Sequence, residues 1–94
     1  MYATAWKGGT YGVRVGSRNV AQYFERQWDF VEIDLDGEYH RVSLSDSFWK
    51  RCPELRSVAF GDWLQRRGLR PWPKGNPPKL ELTLVKGNKF RLSS

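Results

Sequence analysis

Two hydrophobic periods alternate along the chain. Residues 10–16 set Tyr11, Val13 and Val15 against Thr10, Gly12 and Arg14, a period of two that predicts a strand. Residues 30–35 repeat it, with Val31, Ile33 and Leu35 opposite Glu32 and Asp34. Asp36-Gly37 follows, a pair suited to the positive φ of a tight hairpin turn, and residues 38–44 return as the partner strand. Leu80, Leu82 and Leu84 share one face of residues 79–85, and after the turn Lys86-Gly87-Asn88 a last strand runs over 89–92. Between these runs the period lengthens. Ser17 precedes Val20, Tyr23 and Phe24 at helical spacing, which predicts a short helix with Ser17 as its cap. Ser45, Asp46 and Ser47 offer caps for a helix over 48–52 that Pro53 limits. Residues 57–68 predict a longer helix, with Val58, Trp63 and Leu64 as its buried stripe and Gly68 as its stop. Residues 69–78 hold four prolines and form a rigid loop, whereas residues 1–9, ending in Gly8-Gly9, read as a flexible arm or an edge segment.

The order strand, helix, strand, strand, helix, helix, strand, strand predicts an α+β, mostly β, architecture. Its expected form is a small half-open pseudobarrel of antiparallel hairpins with two or three short helices, since closure removes exposed sheet edges. The 94 residues allow one domain, 1–94, and leave no room for an enzyme attached to a reader.

Charge changes this picture more than composition does. The net charge is +6, and aromatic residues make up 15% of the chain. Residues 29–46 sum to −5 and residues 47–75 to +5. If Lys50, Arg51 and Arg56 share a face with Lys7, Arg14 and Arg18, the molecule has a cationic side and an acidic back, the footprint of a nucleic-acid binder. Ten of the 16 cations are arginine, which favours bidentate contacts to phosphate and guanine. Arg66, Arg67 and Arg70 read equally well as a helix C-terminal cluster that complements the macrodipole. Of the tryptophans, Trp63 belongs to a core stripe, Trp28 to core or rim, and Trp72 to the proline loop. Trp49, beside Lys50 and Arg51, is the best candidate for a functional aromatic, with Trp6 next and Tyr39 a further exposed ring.

Several functions drop out. One cysteine, Cys52, excludes an internal disulfide and a multi-cysteine zinc site. His40 is the only histidine, and no nucleophile or metal arrangement forms around it. Glu32, Asp34 and Asp36 could hold a nuclease metal, but they read as a solvated strand face. The glycines have no phosphate-loop spacing. Neither a catalytic residue, a metal site nor a cofactor is expected. No apolar run is long enough for a membrane helix, and residues 1–7 lack the order of a signal peptide, so the expected location is intracellular, in cytoplasm or nucleus.

The element order resembles the DNA-binding pseudobarrel group, which contains the plant B3 domains and the recognition domains of some restriction endonucleases. Residues 12–24 are similar to that group's strand-to-helix unit, residues 30–44 to its hairpin, residues 62–70 to its helix ending in a Gly-Leu step, and residues 80–92 to its closing hairpin. The sequence departs from the group at residues 71–78, where its usual Gly-Asp step is missing, and at residues 48–56, which have no counterpart. The resemblance implies a non-enzymatic module that grips duplex DNA through two arms, one around residues 7–18 and one over residues 39–56. Within those arms Arg14, Arg18, Asn19, Arg41, Lys50 and Arg51 are the expected contacts, with arginine reading guanine, asparagine suited to adenine and lysine holding phosphate; Lys7 and Arg56 at the arms' ends and the exposed rings of Tyr39 and Trp49 complete the expected nucleic-acid surface. RNA or single strands, bound by exposed aromatics on a barrel, are one alternative. An interaction module of a phage or toxin–antitoxin type, facing an acidic protein, is another.

Overall fold

The alternating runs become the strands of one sheet in the computed structural model, which describes residues 1–94. The elements are β1 (Tyr2–Lys7), β2 (Tyr11–Arg14), α1 (Ser17–Tyr23), β3 (Phe30–Leu35), β4 (Glu38–Ser43), α2 (Asp46–Lys50), β5 (Glu54–Arg56), α3 (Val58–Arg66), β6 (Lys79–Lys86) and β7 (Lys89–Ser93). The seven strands run in the order β4-β3-β7-β6-β1-β2-β5. The two edges, β4 and β5, face each other without a ladder, so the sheet curls into a nearly closed barrel with a seam. All ladders are antiparallel except β3–β7. That parallel pair joins the first hairpin to the last and needs the whole intervening chain as its crossover.

Inward-pointing side chains fill the barrel: Ala3, Ala5, Val13, Val31, Ile33, Val42, Leu55, Leu80, Leu82, Phe90 and Leu92 are all buried. The connectivity places α1 and α2 at one end, where β2 and β4 finish and β5 begins, and α3 at the other. Phe24 and Phe48 come off the helical end onto the core, Phe24 stacking on Phe90 at 4.9 Å and meeting Phe48 at 5.3 Å with the rings tilted by 42°. Trp63 and Phe60 close the opposite end from α3.

Five local expectations are corrected. Residues 1–9 are not an arm: β1 lies inside the sheet between β2 and β6, because Ala3 and Ala5 are small enough to point inward where the barrel is narrow. The residues at 54–56 add a strand, β5, paired with β2. Gly16, with φ 89°, takes the cap position of α1 and makes Ser17 its first residue. Val58 is 75% exposed, since α3 turns Phe60, Trp63 and Leu64 inward instead. Leu84 is half-exposed, because β6 runs past the core and bulges between Leu84 and Lys86.

The acidic back is partly neutralised. The parallel register sets Glu32 beside Lys89 and Asp34 beside Arg91. Lys89 Nζ lies 4.0 Å from Glu32, and Arg91 Nε donates to Asp34 at 3.2 Å. Asp34 is buried rather than solvated, and also accepts from the Gly37 N–H at 2.7 Å, which locks the hairpin turn. Arg67 pairs with Asp36 across from α3. Its guanidinium holds the Asp36 carboxyl below the usual carboxylate range, with smaller help from the Trp63 indole N–H and from Arg66. The Trp63 N–H is buried and makes no well-formed hydrogen bond of its own.

Candidate nucleic-acid interface

The helical end of the barrel is built by a hinge between two chain segments. Pro53 lacks an N–H and cannot extend α2, so the helix closes through the Arg51 and Cys52 N–H groups on the Ser47 carbonyl. The Pro53 carbonyl then accepts from Val15 at 2.9 Å and from Gly16 at 3.4 Å. These bonds tie the end of α2 to the start of α1, and so bring Arg51 alongside Ser17.

Two concave surfaces meet at Ser17. The first is a cleft of about 430 Å³ between α1 and α2, lined by Val20, Ala21, Phe24, Phe48, Trp49 and Pro53, with Arg26, Lys50 and Arg51 on its walls. No carboxylate lines it. The second is shallower and runs over Tyr2, Thr4, Arg14, Gly16, Arg18 and Asn19. None of Arg18, Arg26, Lys50 and Arg51 forms an ion pair within the chain. Unneutralised cations around two adjoining hollows make this end an anion-attracting surface. Trp49 stands edge-on to Phe48 at 5.2 Å, and the Arg26 guanidinium lies 5.3 Å over its ring.

The predicted residues are therefore only partly assembled. Arg18, Trp49, Lys50 and Arg51 converge at this end. Arg14 joins them, but its Nε is 3.3 Å from Glu54, a side chain 6% exposed. Arg56 approaches the same carboxylate at 3.7 Å and stacks on Trp6 at 4.7 Å. Glu54 thus holds both arginines against the outer wall, and Trp6 fills the space that Gly8 and Gly12 leave over the β1–β2 ladder.

Asn19 does not fit its expected role. Its side-chain amide donates to the Tyr2 carbonyl at 2.8 Å and the Val15 carbonyl at 3.0 Å, which uses both hydrogens to pin β1 to α1. Bidentate adenine recognition needs one of them. Lys7 sits at the far end of β1, opposite Tyr11 in register and 5.3 Å over its ring. Arg70 and Trp72 pack on Tyr11 as well, so this end of the barrel has its own aromatic cluster. Tyr39 and Arg41 lie on the outer wall of β4, where Lys89 covers Tyr39 and Arg41 covers Phe30. They form a patch on the barrel wall and do not line the cleft.

Arg26 is the residue sequence reasoning missed. It falls just beyond α1, outside any periodic run, and only the packing of α1 against α2 brings it over Trp49.

Compared with known proteins, the chain matches no family model, no curated protein and no solved structure.

Proposed function

We propose that this protein is a non-enzymatic module that binds duplex DNA through the helical end of its barrel, as a B3-like pseudobarrel does. The observation that carries the reading is the group Arg18, Arg26, Lys50 and Arg51, which gathers without ion-pair partners around two adjoining hollows that no carboxylate lines, while β7 neutralises Glu32 and Asp34 of the hairpin. Lys7, Arg41, Arg66, Arg70, Lys74, Lys79 and Lys86 also lack ion pairs, but they lie on other elements; at the helical end the unpaired charge borders adjoining hollows free of acid, which suits a polyanion. The seven-stranded barrel with a seam is consistent with the pseudobarrel resemblance.

In this reading the turn from β2 into α1 and the segment from α2 into β5 are the two gripping arms, joined at their bases through the Pro53 carbonyl. Arg18, Lys50 and Arg51 meet the backbone or guanine edges. Arg14 and Arg56 serve mainly to hold the outer wall, because they share Glu54.

Fluorescence anisotropy with duplex DNA, single-stranded DNA and RNA at two salt concentrations tests the proposal. Duplex should bind best, and binding should weaken as salt rises. Preference for a single strand would move the function to a stacking barrel, and no binding to any of the three at low salt would leave a protein-interaction module.

A further inference from the structure

The cleft between α1 and α2 has two chemically different parts. Its floor is apolar and aromatic, with Phe24, Phe48 and the edge of α1 at Val20 and Ala21. Its walls carry Arg26, Lys50 and Arg51 and no acid. A bare phosphate would use only the walls, and an aliphatic chain only the floor. A volume of about 430 Å³ lies within the usual range for a site that encloses a small molecule. Extending the DNA-binding reading, and resting on it for the source of the nucleotide, we propose that the cleft is a single-nucleotide site. One unstacked base lies against Trp49 beneath the Arg26 guanidinium, and its phosphate meets Lys50 and Arg51.

The geometry of Arg26 and Trp49 carries this furthest. The guanidinium is 5.3 Å from the ring centroid. A planar base inserted between them needs about 7 Å, two contacts of roughly 3.5 Å each. Arg26 is exposed and makes no ion pair, so it can swing outward by that small difference and close over the base. A planar group held between an indole and a guanidinium gains stacking on both faces, whatever its sequence identity. In a duplex such a base would be turned out of the stack, and a damaged or mismatched one would leave it most readily.

Two measurements on the full chain test the proposal. In the first, deoxyadenosine monophosphate, deoxyadenosine and ribose phosphate are titrated while the tryptophan indole N–H resonances are followed, with Trp49 assigned from Trp49→Phe. The monophosphate should shift the Trp49 signal. Deoxyadenosine and ribose phosphate should each bind about tenfold more weakly, since each lacks one half of the interaction. Ala21→Phe, which fills the cleft and leaves the cations in place, should abolish the shift, and Lys50→Gln with Arg51→Gln should weaken it with the fold intact by circular dichroism. In the second, the thymine opposite the turned-out adenine should become reactive to permanganate when the duplex binds, because it loses its partner. Ribose phosphate binding as tightly as the monophosphate would overturn the proposal and leave an anion site. A duplex that binds by anisotropy, with no permanganate-reactive thymine and no monophosphate shift, would overturn it while the DNA-binding reading stood. A monophosphate shift without duplex binding would uphold the cleft for free nucleotides and overturn the DNA-binding reading.

Discussion

Gly12→Ala tests whether the barrel wall under the basic end is packed as described. Gly12 pairs with Trp6 on one side and Arg56 on the other, so its backbone lies beneath the Trp6–Arg56 stack. A methyl group there would overlap the Leu55 carbonyl oxygen and stand 3.2 Å from the Trp6 ring. The Leu55 oxygen belongs to the backbone of β5 and cannot swing aside, so β2 and β5 must separate. Overpacking of this kind costs about 1–3 kcal/mol, offset by about 0.5–1 kcal/mol from the lower freedom of alanine in the unfolded chain. A net loss of about 1–2 kcal/mol lowers Tm by roughly 5–15 °C for a domain of this size. Gly9→Ala is the control, since a methyl group there meets nothing within 4 Å. Thermal unfolding followed by circular dichroism should show Gly12→Ala well below the parent and Gly9→Ala at or slightly above it. β5 follows α2 directly, so the Gly12 variant should also weaken duplex binding. Equal Tm values for the two variants would refute the close approach of β2 and β5, and with it the placement of α2.

Other substitutions probe the turn, the ion pairs and the basic end. Asp34→Ala leaves the Gly37 N–H and Arg91 without their acceptor and should cost about 1–2 kcal/mol in urea denaturation with an unchanged m-value. Asp36→Asn keeps a residue tolerant of the local φ of 57° but removes the Arg67 ion pair. Because the Asp36 carboxyl is held below 3.8, its stabilising effect is complete above that pH and fades as pH falls through the lowered folded value. The variant should therefore be less stable than the parent at pH 7, and the difference should shrink in acid, which denaturation at about pH 7 and pH 3 would show. Arg51→Ala should weaken duplex binding and make its salt dependence shallower by about 0.9 in log–log slope, whereas Arg14→Ala, whose charge is already spent on Glu54, should change affinity less; anisotropy titrations compare them.

The sequence made the strands legible wherever large apolar residues alternate with charges, as at Val31, Ile33 and Leu35 or at Leu80 and Leu82. It hid β1, because Ala3 and Ala5 carry too little hydrophobic contrast with Thr4 to mark a buried face. It hid β5, because three residues behind a proline show no period. The pairing of β3 with β7 joins residues far apart in the chain, and no local pattern announces it. That pairing also decides the electrostatics. The acidic run at 29–38 reads as a repelling face until Lys89 and Arg91 are set beside Glu32 and Asp34. Trp49, Lys50 and Arg51 were legible as a basic and aromatic cluster. Arg26 was not, and Asn19 was legible only as a polar residue whose hydrogens turned out to be used within the fold.

The salt dependence of duplex binding tests the central claim most directly. Four cations without ion-pair partners, Arg18, Arg26, Lys50 and Arg51, ring the helical end. With Arg26 over a base and the other three on phosphates, log affinity should fall against log salt with a slope of about −2.7, a loss of roughly 40-fold between about 50 and 200 mM salt. Arg18→Ala combined with Arg51→Ala should bring that slope to about −0.9. A duplex affinity that hardly changes with salt, or a double variant that keeps the parent slope, would contradict the account.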